Sequence, residues 1–102
     1  MKIRKTNKNK PNIEFFIDLT QAFLEGKIAD YNYKIDFLHE LNKSRYNKMI
    51  NEDPHIAEMI YTTLYEDAFD SYYDASDEVF YKAIKQAYEK LVEVYNNGFD
   101  IF

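Results

Sequence analysis

The apolar positions recur at three- and four-residue steps over most of the chain, and strand-like alternation is absent. Ile13, Phe16, Leu19, Phe23 and Leu24 predict a first helix over about 13–25, with Asn12 as its cap and Gly26 just past its end. Asp30 opens a second helix to about Ile50, with Tyr31, Ile35, Leu38, Leu41 and Met49 as its buried stripe. The polar run NKSRYNK in its middle is a place to bend or fray. Asp53 and Pro54 form the clearest start signal, a capping side chain followed by a first-turn proline. The third helix then reaches about Tyr73, with Ala57, Tyr61, Leu64, Ala68 and Tyr72 expected toward the core. Asp74 or Ser76 can cap a fourth helix over about 77–95, carrying Phe80, Ile84, Ala87, Leu91 and Val94. The run Asn96-Asn97-Gly98 ends it, and FDIF is expected to fold back as a short apolar tail.

Four helices with short connections predict an all-α, antiparallel four-helix bundle. Its 102 residues make one domain. Two glycines and two prolines leave little punctuation for a sheet fold. Ten tyrosines and eight phenylalanines imply a core of flat, partly polar rings. The expected organisation is a disordered basic arm, 1–12, and a helical domain, 13–102. Five bases and no acid occupy positions 1–10, with almost nothing to bury.

Charge changes the picture more than size does. The net charge is −5, but beyond residue 10 there are 18 acids against 8 bases. Residues 49–81 contain nine acids and neither lysine nor arginine. Such a field attracts a cationic partner and repels nucleic acid and anionic membrane. No cysteine is present, which fits a reducing compartment. Glu14 and Asp18 interrupt the apolar run that follows the basic start, so the expectation is a cytoplasmic protein without a signal peptide.

Enzyme chemistry is not legible. His39 and His55 fall on different predicted helices, and no zinc spacing, Glu-x-x-His pair, calcium loop, phosphate-cradling loop or hydrolytic triad is found. No catalytic residue, cofactor or metal is expected.

The stretch EDAFDSYYDASDE, 66–78, places six carboxylates among three aromatic residues. On an ideal helix Glu66, Asp67, Asp70 and Asp74 share an arc of about 100°. Phe69 and Tyr73 border it, and Tyr72 points toward the core. Like charges four apart cost roughly 0.2–0.5 kcal/mol per pair. Acids at a helix C-terminus cost roughly 0.3–1 kcal/mol more. A solvated face and first-turn acids explain Asp77 and Glu78, but not Glu66, Asp67 and Asp70. The candidate partner-binding residues are therefore Glu66, Asp67, Asp70, Tyr72, Tyr73, Asp74, Asp77 and Glu78. Carboxylates rimmed by tyrosine complement a basic cleft of the kind that binds RNA or DNA.

FFIDLTQAFLEGKI followed by LYEDAFDSYYD and a last amphipathic helix resembles the colicin D immunity protein family, including related immunity proteins of contact-dependent growth inhibition systems. The similarity spans about 13–95 and is strongest over Ile17–Leu24, Gly26–Ile28 and Leu64–Asp74. The acidic segment before the last helix is shorter here than in that family. The resemblance implies an acidic helical protein that binds a basic nuclease toxin domain, a tRNase, one to one, and fills its cleft in place of nucleic acid. It implies no contact with nucleic acid or membrane by the chain itself. The alternatives are a DNA or RNA mimic directed at another nucleic-acid-binding protein, such as a phage anti-defence inhibitor, and a helical structural or adaptor protein.

Overall fold

The computed structural model describes residues 4–97, and all regular structure among them is helical. Five helices follow one another: α1 (Pro11–Leu24), α2 (Asp30–Glu40), α3 (Lys43–Glu52), α4 (Pro54–Met59) and α5 (Asp77–Asn97). Without a break, α4 runs into a π-helical segment, Ile60–Asp70. The all-α class holds, but five helices replace the expected four. The difference lies in the second predicted helix, which divides at Leu41 and Asn42. The Asn42 side chain accepts from the Arg45 N–H at 2.9 Å and caps a new helix within the polar run.

Other boundaries follow local chemistry. Gly26, at φ 76°, takes the left-handed position past α1, with Lys27 N–H donating to Ala22 and Gly26 N–H to Phe23. The Asp53 carboxylate accepts from Ile56 N–H at 3.2 Å and so caps α4. Ser76, not Asp74, accepts from Val79 N–H at the start of α5. The start of α1 departs from expectation. Its Asn12 and Ile13 N–H groups donate to the Glu52 carboxylate at the end of α3, 2.9 Å away in each case. A side chain 40 residues distant thus does the work expected of Asn12.

The core is a cluster of rings. Tyr33 stacks on Phe23 at 4.4 Å, and Phe37 stacks on Phe69 at the same distance. Phe80 meets Phe23 and Phe69 edge-on at 5.8 and 5.6 Å. Thr20 and the Tyr33 hydroxyl share a buried 2.9 Å hydrogen bond. Burial pushes the Tyr33 phenol far up, against the opposing effect of Thr20. Leu64, Ala68, Ile84, Ala87 and Leu91 are buried as expected. Leu64→Ala and Leu91→Ala should each cost about 2–5 kcal/mol. Urea denaturation followed by circular dichroism reads this directly, and wild-type midpoints in both would remove them from the core.

Two faces differ from the sequence reading. On α2, Tyr33 and Phe37 are buried, while Tyr31, Ile35 and Leu38 are 72%, 45% and 45% exposed. Both faces of this helix are apolar, and the aromatic one fits the Phe16, Phe23 and Phe69 rings. In the π segment the wider turn shifts the phase that an α-helix would set. Phe69 is 1% exposed instead of bordering the surface, whereas Tyr61, and Tyr72 in the turn after the segment, are 38% and 42% exposed instead of facing the core.

Residues of the basic arm between 4 and 10 contact the helices. The Arg4 guanidinium pairs with Glu14 and Asp18 on α1. Asn7 N–H and the Tyr95 hydroxyl donate to the same Glu14 carboxylate, at 2.9 and 2.5 Å. Lys5 N–H donates to Asn96, and the Lys10 ammonium meets Asp53 at 2.8 Å. Burial is the main cause that pushes the Tyr95 phenol up to about 12. Composition does not show these contacts, because each depends on a single partner side chain, from 7 to 91 positions away. The first three positions of the arm and the FDIF tail lie outside the described residues.

For Asp53, burial would raise the carboxyl pKa, but Lys10 and the Ile56 and His55 N–H groups outweigh it and hold the group below its ordinary value. A depressed carboxylate contributes stability above its unfolded pKa and loses it as pH falls through the folded one. Asp53→Asn should therefore lower stability at neutral pH, and the gap from wild type should close in acid. A gap of the same size at every pH would assign the loss to packing.

Candidate protein-binding surface

The π segment carries Glu66, Asp67 and Asp70, the following turn carries Tyr72, Tyr73 and Asp74, and the first turn of α5 carries Asp77 and Glu78. All six carboxylate residues are exposed, and Tyr73 is half-buried. Glu78 pairs with Lys82 at 3.2 Å. None of the other five acids forms an ion pair with another described residue. Because Ser76 caps α5, Asp74 is left without a capping role. Asp77 and Glu78 keep the stabilising place of acids in a first turn.

Tertiary structure does bring one base to the end of the π segment. The Lys34 ammonium donates to the Tyr73 carbonyl at 2.8 Å and pairs with Asp30 at 3.3 Å. It also lies 4.7 Å from the Tyr73 ring centre and 4.4 Å from that of Phe80. A cation at this helix end offsets the carbonyl dipoles. The sequence reading missed Lys34 because it stands 39 residues from Tyr73. Its charge goes to Asp30 and the carbonyl, not to the candidate acids.

The single acidic stripe of an ideal helix is divided in the fold. Asp67 and Tyr72 line a groove of about 310 Å³ between the π segment and α5. Ala68, Ala83 and Ala87 also line it, together with Lys82, Gln86 and Lys90 of α5. Glu66 and Asp70 belong to the surroundings of Tyr65. That phenol is pushed up first by its burial, then by the charges of Asp70, Tyr61 and Glu66. The i→i+5 spacing changes the angular positions that an ideal α-helix would give these acids, and Asp67 falls on the groove side while Glu66 and Asp70, four apart, stay together on the other.

Beside Glu66 and Asp70 runs a ladder of rings. Tyr46 meets Tyr61 at 5.3 Å, Tyr61 meets Tyr65 at 5.5 Å, Tyr65 meets Phe69 at 5.9 Å and Phe69 meets Tyr73 at 5.6 Å. Tyr46, Tyr61 and Tyr65 were not among the sequence candidates. The i,i+4 spacing of Tyr61, Tyr65, Phe69 and Tyr73 was the available signal.

His39 and His55 are exposed on separate helices. Among the described residues no three His, Cys, Asp or Glu side chains converge to hold a metal ion, so the acids are spread out rather than gathered around a cation. No helix of the described residues is long and apolar enough to cross a membrane. No protein-family model, curated protein or solved structure matches the chain.

Proposed function

We propose that the chain is a cytoplasmic immunity protein, an antitoxin that binds the basic cleft of a nuclease toxin domain, a tRNase, and neutralises it one to one. The observation that carries this reading is the exposed group Glu66, Asp67, Asp70, Asp74 and Asp77, unpaired among the described residues. The resemblance of Ile17–Leu24 and Leu64–Asp74 to the colicin D immunity family points the same way. The chain acts by occupying the cleft, with no turnover of its own.

Charge distribution supports it. The arm's Arg4 and Lys10 meet Glu14, Asp18 and Asp53, near the C-terminal end of α5 where Tyr95 reaches Glu14. Asp77 and Glu78 stand at the other end of that helix, about 30 Å away at 1.5 Å per residue. This exceeds the screening length of about 8 Å at physiological salt, so the arm leaves the negative pole intact. A negative pole steers a basic partner, giving fast association that slows steeply with salt.

The test is Asp67→Lys combined with Asp70→Lys. Both positions are exposed, so the helical circular dichroism should stay unchanged. Protection of cells expressing a nuclease toxin that the wild-type chain neutralises should be abolished. Wild-type protection by the double variant would reduce the acids to a solvated face. Binding that blocks a nucleic-acid-binding protein other than a toxin would favour the mimic reading instead. A helical adaptor is the second reading, favoured by the exposed Tyr31, Ile35 and Leu38 on α2. It predicts that charge reversal leaves partner binding intact and that Ile35→Ser removes it.

A further inference from the structure

We propose that Tyr61 and Tyr65, with Glu66 and Asp70, form an arginine-binding face, so that the partner docks there through guanidinium groups rather than ammonium groups. This deepens the toxin-binding reading and rests on it for the partner's role, but not for the chemistry of the face.

One end of the aromatic ladder already seats a cation, with Lys34 over Tyr73 at 4.7 Å. Elsewhere in the chain the Arg45 guanidinium lies 4.3 Å from the Phe15 ring centre. The Tyr61–Tyr65 end has the same ring type, and Glu66 and Asp70 lie close enough to raise the Tyr65 pKa. Neither acid pairs with another described residue, and both are exposed, as is Tyr61.

A ring face attracts either kind of cation, but the two are not equivalent. A guanidinium is planar, weakly hydrated and able to stack on a ring while its N–H fork takes a carboxylate. An ammonium is a compact, strongly hydrated point charge and gains less from a flat surface. The rings are also held in place before binding. Tyr65 lies between Tyr61 and Phe69 and stacks on Phe37 at 6.1 Å, so little side-chain freedom remains to be lost. The groove beside Asp67 lacks this character, because Lys82 and Lys90 share its walls.

The experiment titrates the full chain, labelled with ¹⁵N, with hexa-arginine and separately with hexa-lysine at matched ionic strength. Hexa-arginine should bind more tightly, by about two- to fivefold for each stacked side chain. Its amide shifts should centre on Tyr61, Tyr65, Glu66 and Asp70. Tyr61→Leu should weaken hexa-arginine binding more than hexa-lysine binding and so reduce the arginine preference, whereas Tyr65→Phe should retain it. Equal affinity of the wild-type chain for both peptides overturns the proposal, as does a full preference surviving in folded Tyr61→Leu. The peptide assay needs no nuclease. Loss of the arginine preference therefore leaves toxin neutralisation standing, and failure of the charge-reversal test leaves the arginine face standing.

Discussion

Phe37→Ala should destabilise the protein by about 3–5 kcal/mol, the range for removing a buried aromatic ring. Phe37 is fully buried at the meeting point of three elements. It contacts Phe16 of α1 at 5.3 Å, Tyr33 of its own helix at 5.6 Å and Phe69 of the π segment at 4.4 Å. Phe69 in turn touches Phe80 of α5, so a cavity at position 37 loosens contacts that reach four elements. A domain of this size has roughly 5–15 kcal/mol in all, so a large part of the population would unfold. The measurement is the urea midpoint at constant slope, with Leu38→Ala as the control. Leu38 is exposed on the same helix and should shift the midpoint little. A larger loss at 38 than at 37 would mean that α2 packs through its other face, as its apolar pattern first implies.

Arg4→Met should cost about 3 kcal/mol, the lower part of the range for removing one partner of a buried ion pair. Both the Arg4 and Glu14 side chains are largely buried, at 7% and 13% exposure. Methionine preserves much of the length and apolar packing but removes the charge. Glu14 would keep the Asn7 N–H and the Tyr95 hydroxyl, which holds the loss to that lower part. Adding Glu14→Gln should recover part of the stability, because the stranded charge is then gone. Thermal unfolding of the two single variants and the double variant gives the coupling. A shift within error of zero for Arg4→Met would show that the arm does not hold this position in solution, and composition would then have read it correctly. Binding through the proposed acidic surface should be unaffected in the folded fraction, since none of these contacts involves its residues.

The candidate surface was legible in part for the same reason that the arm was not. Acids crowded within 66–78 are visible as a local excess, and their exposure follows from the cost of burying charge. Their division into a groove side with Asp67 and Tyr72 and a ladder side with Glu66 and Asp70 was not visible. It depends on the π-helical phase, and no proline or glycine in 60–70 announces that phase. Lys34, which neutralises the end of this segment, comes from another helix altogether.

Local chemistry in the sequence determined the all-α class, the left-handed Gly26, the Asp53-Pro54 start and the acidic bias of 49–81. Each of these depends on residues within a few positions of one another, where backbone geometry and side-chain reach leave few alternatives. Only the tertiary structure decided that Tyr33 and Phe37, not Tyr31, Ile35 and Leu38, turn inward. It alone assigned Glu52 to the start of α1 and Arg4 to Glu14 and Asp18. Helical periodicity shows that a face is apolar, but a helix with two such faces buries the one whose shape fits its neighbours. An ion pair or cap across 14 or 40 residues likewise forms only where the fold brings charge and donor together.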